Sequence, residues 1–318
     1  MSTIVKVSAA SGPQQEFKTK GPGKERGKQK GGKRLAALFL APTIVGITIF
    51  TLIPIVASLT LAFFRWDIIS APEFVGVDNF TSIGADPTIR RAFLNTIGFV
   101  VVAVTLQLTA SIGLAVLVQS KMPSWLRTFF RSAFFFPLVL SAASVSIIMS
   151  YLFNQNFGLV NQIIGLAGIP AVPWLTSQSG AMVVIILVYV WQNFGFTFLL
   201  IIGGLSSIPV EMYEASSIDG ATGWKQFKNI TLPLLSPTLL VASVMAIISA
   251  LQIFDQPYVI TRGGPGDSTR TAVMVIYETA FKQLDFGRAF AIGIVLTLLI
   301  MLVTAIQFRL SRRFVHYN

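Results

Sequence analysis

Cysteine is absent from this 318-residue chain, which removes disulfides, thiolate metal sites and thiol nucleophiles from consideration. Histidine is almost absent as well. His316 stands alone near the C-terminal end, so the sequence offers neither a histidine metal cluster nor a histidine partner for a nucleophile. Charge is scarce: 12% of the residues are Asp, Glu, Lys or Arg, against about 25% in an ordinary soluble domain. No phosphate-binding loop is present. The nearest run, PGKERGKQ, has Pro22 where the first glycine belongs and Gln29 where Ser or Thr belongs, and no strand precedes it. Paired carboxylates facing one cavity are also missing, which argues against a membrane enzyme.

What is there is apolar. Hydrophobic residues make up 53% of the chain and the mean hydropathy is +0.72, a composition that belongs in a bilayer. Six apolar runs stand out, at about Leu35 to Phe64, Ala92 to Val118, Ala133 to Phe153, Ala181 to Gly203, Pro237 to Pro257 and Ala289 to Phe308. At a rise of about 1.5 Å per residue, some 20 helical residues cross a ~30 Å hydrocarbon core. Pro42 and Pro54 are placed to bend the first run. The expected architecture is all-α and integral to the membrane, with six transmembrane helices.

The net charge of +11 would point to nucleic acid in a soluble domain. Here nine Lys and Arg fall in the first 34 residues, and most of the rest sit at the ends of apolar runs. Residues 1–34 carry almost nothing apolar after Phe17 and read as a disordered basic cytoplasmic tail; residues 35–318 form the six-span domain. The run that follows the tail is about twice as long as a signal-peptide core, which argues against a secretory signal. With the N-terminus inside, the inner segments hold seventeen Lys and Arg and the outer segments seven. That asymmetry fits a multi-pass topology with both termini cytoplasmic.

Between the fourth and fifth runs, the loop at 204–236 carries a polar stretch, Glu211 to Pro237. Ser207 and Pro209 suit a helix start, Gly220 a left-handed C-terminal turn, Thr222 a second cap and Pro233 a stop. The reading is a helix-turn-helix elbow on the cytoplasmic side. Within it Glu214, Ala215, Ser216, Gly220, Ile230, Leu232 and Pro233 resemble the EAA signature of permease subunits of binding-protein-dependent ABC importers, with Ser216 in place of the usual third-position alanine. Two weaker runs are similar to features of the sugar-type branch: Phe74, Val75, Gly76, Asp78, Asn79 and Phe80 after the first span, and the TxGGP run Thr261, Gly263, Gly264, Pro265 after the fifth.

The resemblance implies that the elbow is a coupling helix docking in a groove of an ATPase subunit through Glu214, Ala215, Ser216, Asp219 and Gly220. It implies further partners: a second homologous permease, two ATP-binding ABC subunits that carry the ATP and Mg, and an extracytoplasmic solute-binding protein. On this reading the chain holds no cofactor, catalyses no reaction itself, contacts lipid and no nucleic acid, and lies in a bacterial or archaeal cell membrane.

Two spans carry polar residues at helical spacing, where polar groups face protein or a water-filled path. Tyr189, Gln192, Asn193 and Phe196 stand at i, i+3, i+4 and i+7 in the fourth, and Ser249, Gln252 and Gln256 at i, i+3 and i+7 in the fifth, with Phe254 and Asp255 beside them. Carboxamides match sugar hydroxyls as both donors and acceptors, and aromatic rings suit the C–H faces of pyranoses. Interhelical hydrogen bonding in a bundle explains the same faces. No Lys or Arg joins them, which favours a neutral carbohydrate; Arg262 and Arg270 near the outer mouth keep glycerol 3-phosphate or a related phosphoester as the alternative. An ion-coupled secondary transporter is the rival of a different class, weakened because Asp255 is the one acid within the six runs.

Overall fold

A computed structural model of the chain describes residues 28–119 and 122–312. Most of the basic tail, Lys121, Arg313 and His316 therefore lie outside the described residues. The chain divides into two units at Val56. In the first, helix α1 (Lys28–Ile47) passes through a π turn, Thr48–Leu52, into α2 (Ile53–Leu61), which runs on into the second unit. Residues 28–34, assigned to the tail by composition, are thus helical.

The second unit is built around α8 (Gln178–Ser206), the most buried of the long helices. It packs lengthwise on α4 (Pro87–Gln119), with α5 (Ser124–Val139) and α11 (Leu232–Leu251) on its flanks. Phe99, Val100, Val184, Ile185, Val188, Ala250 and Leu251 form one apolar cluster, and Ala115, Val118, Phe198, Ile201, Ile202 and Leu235 form a second toward the other end of α8. A third joins α13 (Phe286–Ser311) to the start of α4 through Ile89, Ala92, Ala291 and Ile292. There the Arg288 guanidinium meets the Asp86 carboxylate at 2.8 Å. Burial works against ionisation of Asp86, but the N–H groups of Thr88 and Ile89 and the Arg288 charge outweigh it and hold the carboxyl below its ordinary value.

Among the described residues, five helical stretches are long and apolar enough to cross a membrane: Ala37–Leu61, Pro87–Gln119, Gln178–Ser206, Trp224–Leu251 and Phe286–Ser311. The third expected span is not one continuous helix. It is α5 followed by α6 (Ala142–Leu152), bent by 98°, and it makes the sixth crossing only if the pair counts as one. Pro137 withdraws a backbone donor from the last turn of α5, and the chain leaves helical geometry at Leu140 and Ser141, both extended near ψ 130–145°.

The fifth span also differs from expectation. Its helix starts at Trp224 and runs through Pro233, the expected stop, because a π turn at Phe227–Thr231 opens the backbone just ahead of the proline. It then ends at Leu251, so Gln252 and Gln256 do not lie on a continuous helix with Ser249; Pro257 supplies no N–H, and a π turn at Pro257–Thr261 follows a short break.

On the far side from the elbow, Asn79 of the FVGVDNF run donates to the carbonyls of Ala62 and Phe64, both at 2.9 Å, and ties the β1–β2 hairpin (Phe64–Arg65, Glu73–Phe74) to α3 (Asp78–Ala85). The TRGGPG turn is held in the same way by Asn95, which donates to the carbonyls of Asp267 and Arg270 at 2.7 and 3.0 Å. The uncharged segment Asn154 to Ser179 forms α7 (Leu159–Leu166) and a loop knotted by Asn161, whose amide oxygen accepts the Trp174 indole N–H at 2.9 Å.

Close packing of α5 on α8 depends on Gly195, where a Cβ would run into the Phe134 carbonyl. Gly195→Ala is expected to cost about 1–3 kcal/mol through overpacking. Thermal unfolding of the purified protein in detergent checks this, with Gly203→Ala, which has open space around it on the same helix, leaving the midpoint unchanged.

Candidate functional site

Near the middle of α8 a cavity of about 250 Å³ opens beside the polar face. Tyr189, Gln192 and Asn193 line one wall, and Ser249, Gln252 and Gln256 another, together with Phe254 and Asp255. Six of the seven predicted pathway residues therefore meet in one space. Phe196 does not. It lies about 10 Å farther along the helix from Tyr189, beyond the Gly195–Phe134 contact where α5 closes against α8, and its side chain is exposed.

The lining residues also bond to one another. The Gln256 Nε2 donates to Gln192 Oε1 at 3.0 Å, and the Tyr189 hydroxyl donates to Ser249 Oγ at 3.1 Å. The side chains therefore bridge helices and border the cavity at once. Gln192 and Gln256 are buried, whereas Ser249, Gln252 and Asp255 are exposed.

Leu138, Leu140, Ala142 and Ile253 complete the lining, and sequence reasoning missed the first three because it treated the third span as unbroken. Pro137 was the available signal. The break frees the Leu140 carbonyl, which accepts Gln192 Nε2 at 3.1 Å. The break at the end of α11 frees the Ile253 carbonyl, which accepts the Thr271 hydroxyl at 3.1 Å. No Lys or Arg lines the cavity. Arg270 has its charge answered by Asp267 at 3.4 Å and Glu278 at 3.5 Å, away from the lining.

The second candidate region is the elbow. Helix α9 (Val210–Ile218) buries none of its residues. It ends as the sequence predicts: Gly220 sits at φ +75°, its N–H reaches the Ser217 carbonyl at 3.1 Å, and the Ala221 N–H reaches the Ser216 carbonyl at 2.9 Å. These two bonds make a Schellman turn. The second cap differs, since Gly223 at φ +49° and not Thr222 precedes α10 (Trp224–Gln226), and that short helix continues directly into the fifth span.

Of the predicted docking residues, Glu214, Ala215, Asp219 and Gly220 are exposed and Ser216 is half-buried. Two large apolar side chains were missed: Ile218 is 88% exposed and Trp224 is 73% exposed, one on each side of the Gly220 turn. Their signal was plain in hindsight, as apolar residues in an otherwise polar stretch. Exposed residues of this size at a protruding turn fit the interior of an interface.

Residues 107–316 match the family described as binding-protein-dependent transport system inner membrane component. The chain is 34% identical to the sulfoquinovosyl glycerol transport system permease protein SmoG of Agrobacterium fabrum, over 89% of this chain and 92% of that one. It is 30% identical to the trehalose/maltose transport system permease protein MalF of Thermococcus litoralis, over 88% and 94% of the two chains. Its fold is similar to that of a chain in the crystal structure of a bacterial ABC transporter that imports the acidic polysaccharide alginate, with a TM-score of 0.80 at 22% identity, covering 91% of this chain and 99% of that chain.

Gln192→Leu would leave the Leu140 carbonyl and the Gln256 amide without their partner. The expected loss is about 1–3 kcal/mol, read as a lowered unfolding midpoint, while Asn193→Leu, which removes only a bond to the carbonyl of Tyr189 on its own helix, costs less.

Proposed function

The chain belongs to the family of binding-protein-dependent inner membrane transport components, the permease subunits of ABC importers, and from that premise we propose that it lines half of the path for a neutral carbohydrate. It is a multi-pass membrane protein and a transporter permease, not an ATPase. The observation that carries the proposal is the cavity beside α8: four carboxamides, two hydroxyls and the Phe254 ring converge there, with no cation among them. Such a set binds hydroxyls and ring C–H faces and gives an anion nothing to pair with. The Asp255 carboxylate at the same cavity adds repulsion for phosphoesters, and the ion-paired state of Arg270 weakens the phosphoester alternative further. Relatives named for trehalose/maltose and for multiple sugars support a carbohydrate, while the relative named for sulfoquinovosyl glycerol and the alginate transporter are named for acidic ones, so the preference for a neutral solute rests on the cavity lining.

In this reading the chain crosses the membrane six times with both termini cytoplasmic, pairs with a second permease, and receives solute from an extracytoplasmic binding protein. A chain of similar fold comes from an alginate transporter solved with its periplasmic protein. Two ATP-binding subunits close on ATP and move the elbow, which takes up Glu214, Ala215, Ser216, Asp219 and Gly220 together with Ile218 and Trp224. The elbow's second half is the start of the 28-residue helix Trp224–Leu251, about 42 Å long, whose far end reaches Gln252 at the cavity. Motion at the ATPase therefore has a stiff route to the solute site. Driving such a pore from 1:99 to 99:1 takes roughly 5.5 kcal/mol of differential binding.

ATP hydrolysis by the reconstituted complex, measured across a panel of oligosaccharides and glycerol phosphates, is expected to rise with neutral sugars. Stimulation by phosphoesters alone would overturn the neutral-solute reading. At the elbow, Trp224→Ala is expected to weaken retention of the ATPase subunits by about 2 kcal/mol, or roughly thirtyfold, measured by co-purification. Gly220→Val, which forces a branched residue to φ +75°, is expected to abolish transport with the protein still inserted. Normal transport by that variant counts against docking through the elbow.

A further inference from the structure

Helix α9 has little to hold it at a fixed angle. None of its residues is buried, and the turn after it contains two residues at positive φ, Gly220 and Gly223, with open space around both. The Schellman bonds close Gly220 onto the end of α9 but tie nothing to the helix beyond Gly223, and a turn with two glycines still bends there easily. A lever attached by such a turn loses displacement unless something else fixes it.

That role falls to one side chain across the turn. Gln226, in the first turn of the helix that becomes the fifth span, donates from Nε2 to Ser216 Oγ and to Ser217 Oγ, each at 3.0 Å, with the Tyr213 carbonyl at 3.4 Å. Both serine hydroxyls in turn donate to the Tyr213 carbonyl, at 2.9 and 2.8 Å. A second tie lies below, where the Tyr213 hydroxyl and the Thr231 hydroxyl meet at 3.0 Å, with Thr231 buried. Ser216 is the position where the resembled signature has alanine, which has no acceptor to offer Gln226. Serine in place of alanine here provides an anchor point.

We propose that Gln226 is a positioning residue for coupling: its amide fastens α9 to the fifth span through Ser216 and Ser217, so that displacement of the elbow reaches the cavity instead of being absorbed at Gly220 and Gly223. This rests on the elbow being the ATPase-docking element. Gln226 itself is half-buried behind the turn and does not belong to the exposed face formed by Ile218 and Trp224.

The test uses the full chain co-expressed with its ATPase subunits and partner permease and reconstituted in proteoliposomes. The readout is solute transported per ATP hydrolysed, alongside co-purification of the ATPase. Gln226→Ala loses the donor, Gln226→Leu keeps the bulk with no polar group, and Gln226→Lys keeps a donor of similar reach. For Gln226→Ala and Gln226→Leu, ATPase retention and hydrolysis stay near wild type while transport per ATP falls about fivefold or more, as expected for the loss of one or two hydrogen bonds from a load path. Gln226→Lys recovers at least half of the ratio. An unchanged ratio in Gln226→Ala, failure of Gln226→Lys to recover it, or loss of the ATPase from Gln226→Ala and Gln226→Leu alike overturns the proposal. Failure of the underlying reading looks different: Trp224→Ala and Gly220→Val both retain the ATPase and transport normally.

Discussion

A backbone carbonyl released from a helix inside an apolar bundle must find a donor, and much of the arrangement around the cavity follows from that requirement. Two helices break there. The Leu140 carbonyl takes a hydrogen bond from Gln192 and the Ile253 carbonyl takes one from Thr271. Gln192 can reach Leu140 only because Gly195 lets the α5 backbone settle onto α8 at Phe134. Gln192 in turn positions Gln256 beyond the second break. The cavity therefore lies where two helices stop, and one of its lining residues, Gln192, satisfies a carbonyl that the first break releases.

The elbow end of the fifth span presents the opposite case. If movement is delivered to the cavity from a distance, as proposed above, it calls for a helix that does not break. Pro233 would ordinarily prevent this. The π turn at Phe227–Thr231 removes the conflict between the proline ring and the preceding turn, and the fifth span runs uninterrupted from Trp224 to Leu251. Pro237, inside the same helix, is tolerated as well. Breaks are confined to the cavity end of this helix, and continuity is kept at the elbow end.

The three prolines mark the boundary of what the sequence could tell. Apolar runs located the long helices, and Gly220 located the left-handed turn, because both depend on residues near in the chain. The polar faces of the fourth and fifth spans were also legible, and six of their seven residues share one cavity. Pro137, Pro233 and Pro257 were misjudged or passed over. A helix ends where the carbonyls released at its break have another donor to turn to, and those donors are remote: Gln192 lies 52 residues from Leu140, and Thr271 lies 18 from Ile253. Where a π turn relieves the strain locally, the helix goes on. Neither condition can be read from the proline's immediate neighbours. Ser216 and Gln226 make the same point at smaller scale, since a small residue looks inert until the amide ten positions on is known to touch it.

The bonds among the cavity residues bear on how tightly a solute can be held. Gln192 pairs with Gln256 and Tyr189 with Ser249, so their polar groups are not left bare in an apolar bundle. On the proposed reading, a sugar that enters exchanges those bonds for its own hydroxyls. The exchange is close to even, because each carboxamide gives up one neutral hydrogen bond and gains another. Binding at such a site would be weak by construction, which suits a transport path, since a deep well would trap the solute it is meant to pass. Selectivity would come from the same groups by a different route: a solute without hydroxyls at the right places, or with a negative charge facing Asp255, would break the internal pairs and return nothing for them.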